Sequence, residues 1–261
     1  LLLQFETQDH NHGGILFGYS SNNRISGNTL TNDGIRLGHC YNNTISGNMF
    51  FNNGLYVYAS YGNVVTDNFV NGKPLVYFEG VSDSVVENAG QVILVNCTGI
   101  QVQNLDLSNT TIGVQLSGTN NTIICGNNIT ENGDGIYLSE SPNNTISGNN
   151  IANNHHGIGL HYSSENTISE NHITANNYYG IELYESSNNK FYHNNFIDNS
   201  RAVFDLSAVQ TNVKPSINVW DDGYPSGGNY WSDYEDRYPN ATETADSGIW
   251  NTPYVIDENN Q

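Results

Sequence analysis

Tyrosine, histidine and glutamate side chains recur at matching points along this sequence, in a pattern typical of a surface that binds hydroxyl-rich ligands. Aromatic rings stack on the C–H faces of sugars, while carboxylate and imidazole groups accept hydrogen bonds from hydroxyls. A flat row of such residues suits a polysaccharide or a partner protein. The alternative is that tyrosine is frequent because it favours β-strands. The candidate ligand-binding residues are Tyr56, Tyr58, Tyr137, Glu140, His161, Tyr162, Glu182 and Tyr184.

Carboxylates in the same part of the chain raise the alternative of a carbohydrate-active enzyme, either a glycoside hydrolase or a polysaccharide lyase. Glycoside hydrolases need two carboxyl groups that flank a cleft. If the chain is an enzyme, the candidate catalytic residues are Glu182, Glu185, Asp221 and Asp222. The 7 lysines and arginines are scattered, and an acidic surface repels uronate polymers, so hydrolysis of neutral glycans is favoured over lyase chemistry.

Metal binding is the second alternative function, with copper or calcium as the metal. Imidazoles bind copper, and carboxylates bind calcium. The candidate ligands are His155, His156 and His161 for copper and Asp221, Asp222 and Asp233 for calcium. A further cluster, Asp9-His10-Asn11-His12, lies near the start of the chain. Adjacent side chains of a strand point to opposite faces, so sequence proximity does not establish that these groups converge.

The candidate residues lie on a repeat of short apolar segments. The first apolar column is Ile25, Ile45, Val65, Ile100, Ile124, Ile146, Ile168 and Phe191. A second column follows five residues later, and a third contains alternating segments such as Ile136-Tyr137-Leu138. Three short alternating segments in a period of about 20–24 residues are typical of strands in a solenoid. The sequence therefore predicts an all-β fold, a right-handed parallel β-helix of three strands per coil and about nine coils.

Asparagine occupies one position of nearly every repeat, three residues after the first apolar column. The members of this series are Asn28, Asn48, Asn68, Asn127, Asn149, Asn171 and Asn194. Asparagine tolerates the left-handed backbone of a tight corner, and stacked amides bond to one another along a column. We therefore interpret these residues as a structural ladder and assign them no function.

The repeat predicts a β-helix over residues 1–206 and an irregular aromatic cap over residues 207–261. The step between Val65 and Ile100 is longer than the others, so residues 71–91 are predicted to form an insertion that protrudes as a loop or hairpin. The chain opens on LLLQF with no amphipathic helix to cover the first coil. An uncovered end exposes strand groups and apolar core, so we expect either that the chain is part of a longer one or that this end docks head-to-tail on a neighbour.

Beyond the repeat, two stretches carry a resemblance to a known family. They are "NGKPLVYFEG…AGQVILVNCTGIQVQNLDLSNTTIGVQL" and "GYPSGGNYWSDY…NTPYVID". With the repeat, they resemble archaeal cell-surface proteins with NosD-type repeats. The resemblance implies a secreted or cell-surface right-handed β-helix of a kind named for periplasmic copper binding or for carbohydrate binding and sugar hydrolysis. It supplies no catalytic motif to carry over.

The composition narrows the range of possible binding partners. The 261 residues carry a formal net charge of −19, which disfavours nucleic acid because phosphate binding needs clustered cations. No apolar run is long enough to span a membrane. Three cysteines without a CxxC pair indicate small buried thiols. The sequons at Asn42, Asn96, Asn109, Asn120, Asn128, Asn143 and Asn240 are consistent with glycosylation.

The leading hypothesis from the sequence is a non-catalytic extracellular or cell-surface scaffold. It would be structural or adhesive and would contact glycans, neighbouring copies or other surface proteins through the row of tyrosines and glutamates.

Overall fold

The computed structural model describes residues 14–210, 212–245 and 247–260. Parallel strands stack as the chain winds through about nine turns, which confirms the predicted right-handed parallel β-helix. The LLLQF start and the Asp9-His10-Asn11-His12 cluster lie outside the described residues. Docking through the N-terminal end therefore stays a prediction.

The strands, numbered β1–β28 in chain order, fall into two segments. The N-terminal segment contains β1 (Ile15–Gly18), β2 (Arg24–Ser26), β3 (Thr29–Thr31), β4 (Ile35–Gly38), β5 (Thr44–Ser46), β6 (Met49–Phe51), β7 (Leu55–Tyr58), β8 (Val64–Thr66) and β9 (Phe69–Val70). Strands β1, β4 and β7 form one of its sheets, β2, β5 and β8 form a second, and β3, β6 and β9 belong to a ten-stranded sheet.

The C-terminal segment continues that ten-stranded sheet and adds two others. The ten-stranded sheet takes in β10 (Lys73–Glu79), β12 (Gln91–Val95), β15 (Ile112–Ser117), β18 (Asp134–Ser139), β21 (His156–His161), β24 (Tyr179–Tyr184) and β27 (Arg201–Asp205). One six-stranded sheet contains β11 (Val85–Val86), β13 (Gln101–Gln103), β16 (Ile123–Cys125), β19 (Thr145–Ser147), β22 (Thr167–Ser169) and β25 (Lys190–Tyr192). The other contains β14 (Asp106–Ser108), β17 (Asn128–Thr130), β20 (Asn150–Ala152), β23 (His172–Thr174), β26 (Asn195–Ile197) and β28 (Tyr230–Trp231).

Side chains alternate between the two faces of a strand, so each strand points apolar side chains into the core. In successive turns these side chains stack as a buried apolar column under each sheet. Ile124, Ile146 and Ile168 lie in register on adjacent strands and are fully buried. Burial of such a side chain contributes about 1.5–3 kcal/mol, so the repeated columns hold the stack together.

The predicted asparagine ladder is confirmed at the corners between strands. The Asn149 side-chain amide donates to the side-chain oxygen of Asn171 and to the carbonyl of Ile124, each at 2.9 Å. Its own oxygen accepts from the side chain of Asn127 at 2.9 Å. Each amide thus bonds to the turn below and the turn above, so buried polar groups are paired throughout the column.

Between β9 and β10 the strand direction reverses, since these two strands pair antiparallel. Beyond this point β12 forms a wall between two cores. Val92 and Leu94 pack into the core of the C-terminal segment, whereas Ile93 and Val95 pack into the core of the N-terminal segment. All five residues of β12 are buried. The molecule therefore consists of two β-helical segments that share this wall.

Residues 71–91 do not protrude as the predicted insertion loop. They include β10, which forms a hairpin with β9, and β11, and both β10 and β11 pair with strands of the next turn. The step after Val65 looked long because Val86 was not counted in the first apolar column and Ile100 was placed in it instead of Val102. Val86 pairs with Val102, which in turn pairs with Ile124. Ile100 and Val102 are both fully buried, so apolar alternation did not distinguish the two registers.

The aromatic tail covers the last turn. Trp220 stacks on Phe191 with ring centroids 4.2 Å apart, and Trp231 stacks on Phe196 at 4.4 Å. The tail also forms a 3₁₀ turn, Leu206–Ala208, and one α-helical turn, α1 (Tyr234–Arg237). Across the described residues, no helix is long and apolar enough to cross a membrane.

Candidate functional site

Strand β7, at the edge of the N-terminal segment, ends against the C-terminal segment. The buried Gln91 side chain accepts a hydrogen bond from the Leu55 amide at 2.9 Å and donates to the Leu55 carbonyl at 2.8 Å. Gln115, also buried, makes the same pair of bonds to Val57. The two side-chain amides replace the peptide groups of a missing neighbouring strand. This junction brings residues of the two segments together.

Two tyrosines from the two segments meet beside this junction. Tyr56 lies on β7 and Tyr137 on β18, and ionisation of either phenol would affect the pKa of the other. Burial raises the pKa of both phenols, so both are protonated donors at neutral pH. The Arg36 guanidinium lies 4.9 Å from the centroid of the Tyr56 ring and supplies a cation.

Tyr137 begins a chain of polar contacts across the outer face of the ten-stranded sheet. Its hydroxyl lies 3.2 Å from Nδ1 of His161, and Nε2 of His161 lies 3.5 Å from a carboxylate oxygen of Glu182. Nε2 is buried and makes no hydrogen bond of good geometry within the described residues. The chain therefore offers a phenol, an imidazole and a carboxylate to one ligand.

Gly159 makes this arrangement possible. It lies in register between Tyr137 and Glu182 on the intervening strand β21. A Cβ atom at Gly159 would lie 3.1 Å from Cδ2 of Tyr137, which is closer than normal packing. The tyrosine ring thus leans over a position that has no side chain.

A second acid–imidazole pair lies on the same sheet. Nδ1 of His156 lies 2.8 Å from a carboxylate oxygen of Asp134, and His156 stacks on Tyr179 with centroids 5.4 Å apart. The charges of Asp134 and Glu182 both help to raise the pKa of Tyr137. The two carboxylates therefore both disfavour ionisation of the Tyr137 phenol.

The Glu182 carboxyl is ionised more readily than an ordinary glutamate. Burial alone would raise its pKa, but the adjacent His161 imidazole and its charge, with smaller contributions from His156 and His155, outweigh burial and lower it. Glu182 is consequently an acceptor at neutral pH, suited to a ligand hydroxyl.

The structure brings most of the predicted ligand-binding residues together, but not all of them on the sheet face. Glu140, Tyr162 and Glu185 lie in the turn after their strands, with φ of 50°, 51° and 45°. The predicted flat row was wrong for Glu140 and Tyr162, and Glu185, a predicted catalytic residue, lies off the face in the same way, because each strand ends at the preceding residue. Tyr162 still donates to the Tyr184 hydroxyl at 3.0 Å.

The predicted catalytic aspartates are not on this face. Asp221 and Asp222 lie in an exposed turn of the tail. The Ser226 hydroxyl donates to Asp222 at 3.0 Å and lies 3.1 Å from Nε2 of His193. This serine sits between the acid and the imidazole, which is not the order of a nucleophilic triad.

Sequence reasoning missed Arg36, Asp134 and Gly159. Asp134 precedes His156 by 22 residues, the length of one turn, so the sequence alone could have predicted that these two residues are neighbours. The sequence could not predict that Tyr56 and its neighbour Arg36 lie close to Tyr137, because this contact depends on how the two segments meet.

One family model matches most of the chain. Its description is "Periplasmic copper-binding protein (NosD)", and it matches residues 3–89 and 78–236. No curated protein matches the sequence significantly.

Several solved structures are similar. The periplasmic alginate epimerase AlgG is 18% identical with a TM-score of 0.43, and the alignment covers 70% of this chain and 50% of AlgG. The chain thus spans about half the length of AlgG. The A-module of the mannuronan C-5 epimerase AlgE4 from Azotobacter vinelandii is 12% identical with a TM-score of 0.33, covering 82% of this chain and 74% of that module.

The copper in the family description does not fit the side chains seen here. Protein copper sites are built from converging cysteine, methionine or histidine side chains. In residues 14–210, 212–245 and 247–260, no three His, Cys, Asp or Glu side chains are placed to hold a metal ion, including the predicted ligands. Cys40 and Cys97 are buried in the two separate cores.

Proposed function

Because the chain belongs to the NosD family of parallel β-helix proteins, we propose that it is a non-catalytic scaffold, located outside the cytoplasm, that binds neutral glycans at the junction of its two segments. The observation that carries this proposal is the chain of contacts from Tyr137 through His161 to Glu182, beside Tyr56 of the other segment. Phenol rings suit the C–H faces of a sugar, and the polar groups suit its hydroxyls.

Charge supports a neutral ligand. The chain has a net charge of −19, and Glu182 and Asp134 both lie at the site. An anionic polymer would be repelled on approach, whereas a neutral glycan would not. The family description names the periplasm, which supports a place outside the cytoplasm.

A glycan array followed by calorimetry with the best neutral oligosaccharide tests the proposal. Glu182→Gln is expected to weaken binding about tenfold or more, because it removes a charged acceptor. Glu165→Gln, at an exposed turn residue, makes the same chemical change away from the site and should bind like the wild type. An array with no neutral hit, or equal losses in the two variants, would exclude the proposal.

Gly159→Ala tests the shape of the site without touching a polar group. The added methyl group would displace the Tyr137 ring, so we expect glycan affinity to fall severalfold while the fold is retained. The matched change Gly38→Ala, where the new Cβ has no heavy atom nearer than 3.9 Å, should leave affinity unchanged. Equal affinities for all three proteins would show that the ring position is irrelevant.

The lowered pKa of Glu182 gives the binding a pH dependence. Binding that needs the carboxylate is present above the pKa of this group and is lost as the pH falls through it. Because that pKa lies below the ordinary glutamate value, affinity should persist to a more acidic pH than an ordinary glutamate would allow. Titration of affinity against pH, with Glu182→Gln showing no such transition, checks this.

Glycan hydrolysis is a second candidate function, favoured by one observation. The charges of Asp134 and Glu182 both raise the pKa of Tyr137, and a hydrolase likewise uses two carboxyl groups near its substrate. Release of reducing ends from the bound oligosaccharide, abolished in both Asp134→Asn and Glu182→Gln, would establish it.

Assembly with neighbouring copies is part of the scaffold proposal. Electron microscopy and light scattering of the purified protein test it directly. Filaments or sheets would support a structural role beside glycan binding, whereas a uniform monomer would argue against self-assembly.

A further inference from the structure

The polar ladders of the C-terminal segment end in two different ways. Three of them are closed by residues of the tail: Ser186 donates to Ser216, Asn194 donates to Asn229, and the ladder through Asn189 and Asn218 ends on Asn260. In each case a side-chain oxygen from the tail accepts a hydrogen bond from the backbone N–H of the ladder residue in the last turn.

The fourth ladder has no such closure. It runs from Asn132 through Asn154 and Asn176 to Asn199, each backbone N–H donating to the next side-chain oxygen at 3.0 or 3.1 Å. The Asn199 side chain donates to the Ile173 carbonyl. The Asn199 backbone N–H has no acceptor in the described part of the chain. A donor therefore points toward the place where the next turn would lie.

A cavity of about 340 Å³ occupies this place, between the last turn and the tail. Its walls include Asn199, Ser200 and Arg201 from the last turn, and Ser232, Arg237 and Tyr254 from the tail. The volume is in the range of small-molecule sites.

The N-terminal segment shows which group can close such a ladder. Its ladder through Asn43 and Asn63 ends on Glu79, whose carboxylate accepts from the backbone N–H groups of Gly62 and Asn63. In this protein, therefore, a carboxylate already stands in for the asparagine side chain at the end of a ladder.

Two cations line the cavity beside the carboxylates of Asp198 and Asp233. Of the 7 lysines and arginines, Arg201 and Arg237 line it. Arg237 is partly engaged, with the Val255 carbonyl at 3.0 Å and Asp233 at 3.9 Å. Arg201 forms no ion pair with any described residue. Its Nε donates to the Val203 carbonyl at 3.0 Å, and its guanidinium lies 4.7 Å from the centroid of the Phe204 ring. Its terminal guanidinium nitrogens are available to an anion.

Other groups of the cavity suit hydroxyls and a sugar ring. Asp198 and Asp233 also line it, and Asp233 accepts hydrogen bonds from the Tyr254 hydroxyl at 3.1 Å. Ser200 and Ser232 add hydroxyl groups, and the Tyr254 ring offers an aromatic wall. We propose that this cavity binds a sugar acid, whose carboxylate pairs with Arg201 and accepts from the Asn199 N–H in place of the missing ladder residue.

Calorimetric titration with sodium D-glucuronate, with D-glucose as the neutral probe, tests the proposal. Glucuronate is expected to bind at least about tenfold more tightly than glucose. Arg201→Gln should weaken glucuronate binding about tenfold or more and leave the weak binding of glucose unchanged. Lys190→Gln removes the same charge from an exposed residue of β25 outside the cavity and should bind like the wild type.

A second variant keeps the test decisive if Arg201→Gln does not fold. Ser232→Asp preserves an acceptor for the Asp198 N–H, which Ser232 binds at 3.1 Å, and adds a negative charge to the cavity. It should weaken glucuronate binding by a similar factor. Absence of glucuronate binding, equal affinity for glucose, or equal losses in Arg201→Gln and Lys190→Gln would each overturn the proposal.

Discussion

Gln91→Leu is expected to loosen the junction between the two segments and to lower the free energy of unfolding by about 3 kcal/mol or more. Leucine fills a similar volume but cannot bond. The buried N–H and C=O of Leu55 and the carbonyl of Ile112 would all lose their partner, which now lies at 2.8–3.0 Å. Each buried unpaired group costs about 1–3 kcal/mol.

Chemical denaturation followed by circular dichroism measures this loss, and amide exchange locates it. The Leu55 amide should exchange slowly in the wild type and much faster in the variant. Gln101→Leu, at an exposed position of β13, is the matched control and should change stability by less than about 0.5 kcal/mol. A Gln91→Leu protein as stable as Gln101→Leu would show that the amide does not act as a substitute strand.

The effect should extend to glycan binding, since the junction positions Tyr56 against Tyr137. We expect the affinity of folded Gln91→Leu for the neutral oligosaccharide to fall with its stability. Retained affinity in a protein with a loosened junction would mean that the C-terminal segment binds the glycan alone.

Asn149→Ala is expected to have an effect of comparable size, about 3 kcal/mol or more. The side chain is fully buried and bonds to Asn127 and Asn171 on either side and to the Ile124 carbonyl. Alanine would leave the Asn127 N–H and the Ile124 carbonyl without a partner inside the stack.

The neighbouring residue provides the control. Asn150 is exposed, and its side chain donates only to Asn128. Asn150→Ala should therefore cost less than about 1 kcal/mol, as measured by the same denaturation experiment. Similar losses for the two variants would show that position in the column is unimportant. Because each turn of a solenoid contacts only its neighbours, faster amide exchange should be confined to the turns beside Asn149.

The sequence by itself determined the repeating part of this protein. Apolar alternation fixed the strands, and the spacing of residues such as Asn127, Asn149 and Asn171 fixed the corners. Both signals are local, since each repeat meets the same neighbours in every turn. The same locality explains why Tyr137, His161 and Glu182, predicted to lie in one row, lie on strands of one sheet.

The tertiary structure alone decided the reversal at β10, the wall shared by two cores and the junction beside Tyr56. At Ile100 and Val102 both residues are apolar and buried, so the pattern did not reveal the register. The fully buried strand β12 has no polar face, because a core lies on each side of it. The contact of Tyr56 with Tyr137 joins residues of two separate stacks, and it depends on buried glutamines whose partners are backbone groups 36 and 58 positions away. Backbone groups are the same in every residue, so no sequence pattern marks which of them a glutamine will bind.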